Sequence, residues 1–330
     1  MSLRRAGSWL LAVLLALAGV ATAQVPEARA AGGHAPRAVW TWEQPAYAML
    51  ESPQVAAEAL AFLQRKRIDT LYLYADAYQG RNLLVQQPQR YQALIRAAHA
   101  RGMRVYALLG SWYLHTERYV LPGLQHKAVA MLQRVLDYNA AAAPEERFDG
   151  VNYDIEPHLL DEWEEATRPR LLRGFLDMTA AMLEARRKSG QALPVGPAMP
   201  FWWDGISLEW RGARKPVSEH VIDLADYVAL MDYRNFAEGR DSILSHAASE
   251  MAYADRVGKR VVIGLEFNPG EPAKLSFHGM DEAAFEAEAG KVETAYRARA
   301  AFAGFVFHHY EGYRRFVGEP VPELESQSKP

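Results

Sequence analysis

Phe148-Asp149-Gly150-Val151-Asn152-Tyr153-Asp154-Ile155-Glu156-Pro157-His158 opens on a turn dipeptide and continues as alternating residue types. Successive side chains of a strand point to opposite faces. Val151, Tyr153 and Ile155 therefore share one face, and Asn152, Asp154 and Glu156 share the other. The apolar row fits a strand covered by helices. The polar row is costly to bury unless it borders water or a ligand. Pro157 lacks an N–H and closes the strand just past the last carboxylate. Asp154 and Glu156 are expected side by side at the C-terminal end of a buried strand.

Working outward, seven further short apolar runs share this character: 38–42, 68–75, 103–109, 193–200, 226–233, 260–267 and 303–309. Helical stretches separate them. Residues 55–66 carry apolar side chains at helical spacing after a Ser52-Pro53 start signal. Residues 89–101 end at Gly102, a C-terminal stop signal. Residues 124–138, 170–188, 242–257 and 281–300 behave similarly, and 217–224 is a shorter example. Strand-helix alternation implies a parallel sheet. An open, doubly wound sheet is the alternative, but eight repeats over this length, with no Gly-rich nucleotide fingerprint after the first, predict an α/β fold of the (β/α)8 TIM barrel type. One domain is expected over 38–318, with a polar, proline-containing tail at 319–330.

The chain has 330 residues, half of them hydrophobic, and a formal charge of −3. That suits one large core and argues against nucleic acid or an anionic membrane as the main partner. Arg4 and Arg5, the apolar run 9–20 and Ala21-Thr22-Ala23 form the basic, apolar and small-residue regions of a signal peptide over 1–23, cleaved near Ala23. A membrane anchor is the alternative, although the run is short for a span. The Ala, Gly and Pro-rich residues 24–37 read as a flexible leader. The chain has no cysteine, so neither a lipidated cysteine nor a disulfide is available. Export to the periplasm or beyond, with stability resting on a packed core, is the expectation.

Barrels of this type place their active sites at the C-terminal ends of the strands. Those ends read Trp40-Thr41-Trp42-Glu43, Tyr74-Ala75-Asp76, Gly110-Ser111-Trp112-Tyr113, Asp154-Ile155-Glu156, Pro200-Phe201-Trp202-Trp203-Asp204, Met231-Asp232-Tyr233-Arg234, Glu266-Phe267-Asn268 and His308-His309-Tyr310. Aromatic rings and carboxylates recur there and not at the strand starts. Flat amphipathic rings suit sugars, covering their C–H faces while edge groups bond hydroxyls. Trp42, Trp112, Trp202, Trp203 and Tyr310 are candidate platforms, though any one of them could instead pack in the core. Asn152, Asp232, Arg234 and His309 are candidate hydrogen-bonding groups. Two carboxylates on one face push their pKa values apart, which makes Glu156 a candidate general acid and Asp154 its partner. The competing reading is an ion pair with a buried arginine, Arg234 for example. The histidines show no metal-ligand spacing, and His308 and His309, adjacent on a strand, point opposite ways. No metal and no cofactor are expected.

Asp149-Gly150-x-Asn152-x-Asp154-x-Glu156 resembles the D-G-x-D-x-D-x-E signature of glycoside hydrolase family 18, the chitinase-like barrels. Met231-x-Tyr233 is similar to that family's M-x-Y element on the sixth strand. Asn152 stands where the family has an Asp, and Arg234 where it has Asp or Asn. The last strand has no tryptophan. The resemblance implies a retaining glycosidase in which the N-acetyl oxygen of the sugar attacks the anomeric carbon, an exception to the two-carboxylate scheme. It implies Glu156 as proton donor, Asp154 orienting the acetamido group, and Tyr233 bonding the cyclic intermediate.

A second enzymatic reading rests on Glu266. A Glu ending strand four and another ending strand seven resemble clan A retaining glycosidases, with Glu266 as nucleophile and carboxyls roughly 5–5.5 Å apart. A catalytically silent barrel that binds glycans is the non-enzymatic alternative. An oligosaccharide or polysaccharide is the expected partner in every case, with no stable membrane anchor. The sugar, the linkage and the oligomeric state are left open.

Overall fold

The computed structural model describes residues 33–321. The expected signal peptide, most of the leader and most of the tail lie outside the described residues. Eight parallel strands close into a barrel: β1 (Arg37–Thr41), β2 (Thr70–Tyr74), β3 (Arg104–Leu109), β4 (Gly150–Tyr153), β5 (Val195–Pro200), β6 (Tyr227–Met231), β7 (Arg260–Glu266) and β8 (Phe302–His308). Each strand pairs with its neighbour in sequence, and β8 pairs back onto β1.

The two ends of the barrel segment depart slightly from the expected limits. Arg37, assigned from the sequence to the leader, is buried at the start of β1, and its guanidinium pairs with Glu286 at 2.6 Å. Glu319, assigned to the tail, accepts from Arg65 at 2.9 Å, and its N–H donates to the Arg314 carbonyl.

The alternation within β4 sorts residues between two apolar layers. Val151, Tyr153 and Ile155 join the outer layer, between strands and helices. Burial of an aliphatic side chain such as Val151 or Ile155 contributes roughly 1.5–3 kcal/mol. Asn152 faces the barrel interior, where Trp40, Tyr72, Tyr106 and Tyr227 form the inner layer. Large rings fit there because glycines face them. A Cβ on Gly150 would overlap the Tyr106 ring, and one on Gly196 would lie 2.8 Å from Cδ1 of Tyr227. The rings of Tyr72 and Tyr106 stack at 5.4 Å, and the Tyr227 hydroxyl donates to the Val151 carbonyl at 2.9 Å. The interior is a filled core, so a ligand must approach from an end.

Helices follow the predicted segments: Pro53–Arg65, Pro88–His99, Gln125–Ala141, Arg168–Ser189, Val217–Leu224, Ile243–Val257 and Glu282–Tyr296. Ser52 accepts from the Val55 N–H, and Ser242 with Ser245 forms a capping box. Among the described residues, the elements that went unread in the sequence include helix Glu43–Glu51 after β1, the short helix Leu83–Gln86 after β2, the antiparallel hairpin of Ser207–Trp210 with Ala213–Pro216, and helix Tyr310–Phe316 after β8. All lie beyond strand ends, where the strand period stops and only short segments remain to be read.

Candidate active site

Regular pairing of β4 ends at Tyr153, three residues before the expected limit, but the Asp154 N–H still donates to the Leu109 carbonyl at 2.7 Å. The chain therefore keeps its line, and the alternation persists. Ile155 is buried against the helices, while Asp154 and Glu156 face a cleft at the C-terminal mouth of the barrel. Gly110, at the end of β3, permits this close approach. It has φ +107°, and a Cβ there would overlap the Asp154 carbonyl oxygen.

The cleft encloses about 180 Å³, and Trp42, Glu43, Trp112, Glu117, Asp154 and Glu156 are among its walls. The exposed large apolar side chains of the described residues are Trp112 at 66%, Tyr113, Leu159, Val85 and Val257. The first three line this cleft. Scattered apolar residues need no explanation, but a cluster at a concave acidic site marks a binding surface.

Burial pushes the Asp154 carboxyl well above the usual range, and the charges of Glu156 and Glu43 push it further. Its Oδ1 is buried without a hydrogen-bond partner. Glu156 lies 3.3 Å from Nε2 of His158, whose ring meets Trp202 edge-on at 5.4 Å. Tyr233 follows β6, and its ring tilts over His308 at 5.6 Å. Burial, then Glu266, Asp154 and Glu156, hold its phenol well above its usual value, so it stays a neutral donor.

Glu266 ends β7 with both oxygens engaged. Oε1 accepts from the N–H groups of Phe267 and Asn268 and from the Asn268 side chain, and Oε2 lies 2.6 Å from Nδ1 of His308. Burial raises this carboxyl, but the His308 and Asn268 contacts outweigh burial and leave it below its ordinary value.

Several residues expected at the rim lie elsewhere. Trp203 is 1% exposed and packs edge-on against Phe175 at 5.0 Å. Tyr310 is buried, meets Phe62 edge-on, and its hydroxyl accepts from Arg314 at 2.8 Å. Asn152 is fully buried, accepting from Trp40 Nε1 at 2.8 Å and donating to the Gly196 carbonyl at 3.0 Å. Asp232 is fully buried against His246 at 2.9 Å, and burial lifts its carboxyl to about 6. Arg234 is spent on Asp241 at 2.6 Å and on the Tyr233 carbonyl, so it is not the counter-ion of Asp154 or Glu156. The His309 ring is largely buried, its Nδ1 has no hydrogen-bond partner, and burial lowers it to about 4. Trp202 is half-buried and props His158, whereas Trp42 and Trp112 stand on the cleft. Cleft residues not named as candidates from the sequence include Glu43, Ser111, Tyr113 and Glu117. Glu43 and Ser111 each stand two positions past a strand end, and that position was their only signal.

No family model and no curated protein sequence matches the chain. Solved structures match it in fold. One is the C-terminal domain of a candidate chitinase from Desulfitobacterium hafniense DCB-2, with a TM-score of 0.53 at 13% identity, over 85% of this chain and 94% of that one. Another is a glycoside hydrolase family 18 N-acetylglucosaminidase from Paenibacillus barengoltzii, with a TM-score of 0.50 at 15% identity, over 86% of this chain and 98% of that one. The fold that they share with this chain is the (β/α)8 barrel. An exo-beta-1,4-mannosidase from Opitutaceae bacterium strain TAV5 also matches, with a TM-score of 0.52 at 14% identity, over 84% of this chain and 53% of that one. The shared barrel therefore hosts several chemistries, and the site must separate them.

Proposed function

We propose that this protein is an exported glycoside hydrolase that cleaves beside an N-acetylated sugar, with Glu156 as general acid and then base. The observation that carries this reading is the pairing of Asp154 with Glu156 on one wall of an aromatic, acidic cleft at the strand C-termini. In the first step the acetamido oxygen of the substrate attacks the anomeric carbon, and the bond to the leaving oxygen breaks. Glu156 gives its proton to that oxygen. Asp154, beside it, orients the acetamido group as the ring forms. Tyr233, a neutral donor, bonds the acetamido group as the ring closes. Water then opens the cyclic intermediate while Glu156 takes its proton back, so the configuration is retained. The N-acetylglucosaminidase among the structural neighbours supports this substrate class.

Glu266 as enzyme nucleophile is the weaker account, because each of its oxygens already accepts from a protein donor. Export rests on the reading of residues 1–23, and N-terminal sequencing of the mature protein tests it. For the function itself, the protein is assayed on matched N-acetylated and non-acetylated oligosaccharides. We expect hydrolysis of the acetylated series alone, and at least a hundredfold loss of kcat in Glu156→Gln with binding retained. Binding without turnover in the unaltered protein would instead identify a glycan-binding barrel. Azide rescue of Glu266→Ala would identify the strand-seven nucleophile.

A further inference from the structure

Burial and the neighbouring Glu156 raise the Asp154 carboxyl, and a third group acts on it from outside its own strand. Asn152, two residues earlier, has its amide spent on Trp40 and Gly196 beneath the cleft. The carboxyl that faces Asp154 from another element is Glu43, the first residue of helix Glu43–Glu51 beyond β1. Glu43 is only 9% exposed and lines the same cleft. Its Oε1 accepts from the Ser111 hydroxyl at 2.6 Å. Ser111 is itself anchored, because its N–H donates to Thr116 Oγ1 at 2.9 Å. It also follows Gly110, whose backbone lies against the Asp154 carbonyl. One turn thus fixes both acids.

We propose that Glu43 is a positioning residue for the reaction: Ser111 holds its carboxyl on the cleft wall that also carries Asp154 and Glu156, and from there it governs where the proton of that acid pair sits. Like charges brought together resist joint ionisation. The other groups facing the pair are Glu156 on the same loop, Tyr233 beyond β6, Glu117 across the cleft and Tyr74 of β2 beside Glu43. His158 reaches Glu156 at 3.3 Å from the loop beyond it. No lysine, arginine or histidine is among the cleft-lining residues to neutralise them. Burial raises Glu43 as it raises Asp154, and the Ser111 bond opposes this. The effect on turnover rests on the glycosidase reading, whereas the coupling of the two carboxyls does not.

The test is a carbon-13 carboxyl NMR titration of the intact protein beside Glu43→Gln, whose amide oxygen can still accept from Ser111. We expect the Asp154 midpoint to fall by about one pH unit in the variant. The basic limb of its kcat profile should move down by the same amount, with KM within twofold of the unaltered enzyme. Ser111→Ala, which loosens Glu43 without removing it, should move both less. An unmoved Asp154 midpoint overturns the proposal. Should Glu43→Gln not fold, the unaltered protein decides: coupled, two-step curves for Glu43 and Asp154 support the idea, and independent one-step curves overturn it. Absence of hydrolysis by the unaltered protein counts against the glycosidase reading, while the titration still decides whether Glu43 and Asp154 are coupled.

Discussion

β3 is flanked by two glycines of positive φ that differ in one respect, and this makes a controlled experiment. Gly102 precedes the strand with φ +74°, and a Cβ there would meet nothing within 4 Å. Gly110 follows the strand with φ +107°, and a Cβ there would overlap the Asp154 carbonyl oxygen well inside 3.0 Å. Gly102→Ala should cost only the left-handed backbone penalty, about 1–2 kcal/mol. Gly110→Ala adds displacement of backbone in a packed region. Strain of about 1–3 kcal/mol and overpacking of about 1–3 kcal/mol together give roughly 2–6 kcal/mol. The atom displaced belongs to Asp154, so the same substitution should disturb the acid pair. Urea unfolding at pH 7, with a common slope for both variants, measures the stability difference. Turnover on the best substrate measures the second effect. We expect Gly102→Ala to keep full kcat and Gly110→Ala to lose at least tenfold. If the two variants agree within about 0.5 kcal/mol, a typical surface-substitution effect, the close approach of β3 to β4 does not place Asp154.

Trp112 and Trp203, both candidate platforms in the sequence, should separate cleanly. Trp112→Ala should change stability by less than about 0.5 kcal/mol while raising KM. Trp203→Ala should cost about 3–5 kcal/mol in denaturant unfolding, because its ring fills the core beside Phe175. Asp154→Asn should abolish turnover yet leave the protein as stable as before at pH 7, or more so. The folded-state pKa of Asp154 is raised, so the ionised form is disfavoured by the fold. That cost is absent below the unfolded value of about 3.9 and grows as pH rises through the folded one. Thermal unfolding of both proteins at pH 4 and pH 7 checks this, and a variant less stable at pH 7 would contradict it.

The barrel and its acid pair could be read from linear order because strand periodicity is a local property. A period of two in 148–156 put Val151, Tyr153 and Ile155 on the helix side and Asp154 and Glu156 on the other, and eight such runs between helical stretches left few ways to close a sheet. Beyond the strand ends that period is gone. Trp202 and Trp203 are neighbours in sequence, yet one props His158 near the cleft and the other is core. Tyr310 went inward because a short helix begins there and packs on Phe62. Asp232 and Arg234 each found a partner, His246 and Asp241, farther along the same loop and the helix that follows it, where no strand period relates them. Glu43 became part of the site only because β1, β3 and β4 end at one mouth, 68 residues separating it from the Ser111 hydroxyl that holds it. Residue order determined which strands exist and which faces they show. Which loop side chains meet there was decided by chain closure, since contacts between distant segments depend on the path each loop takes under its covering helices.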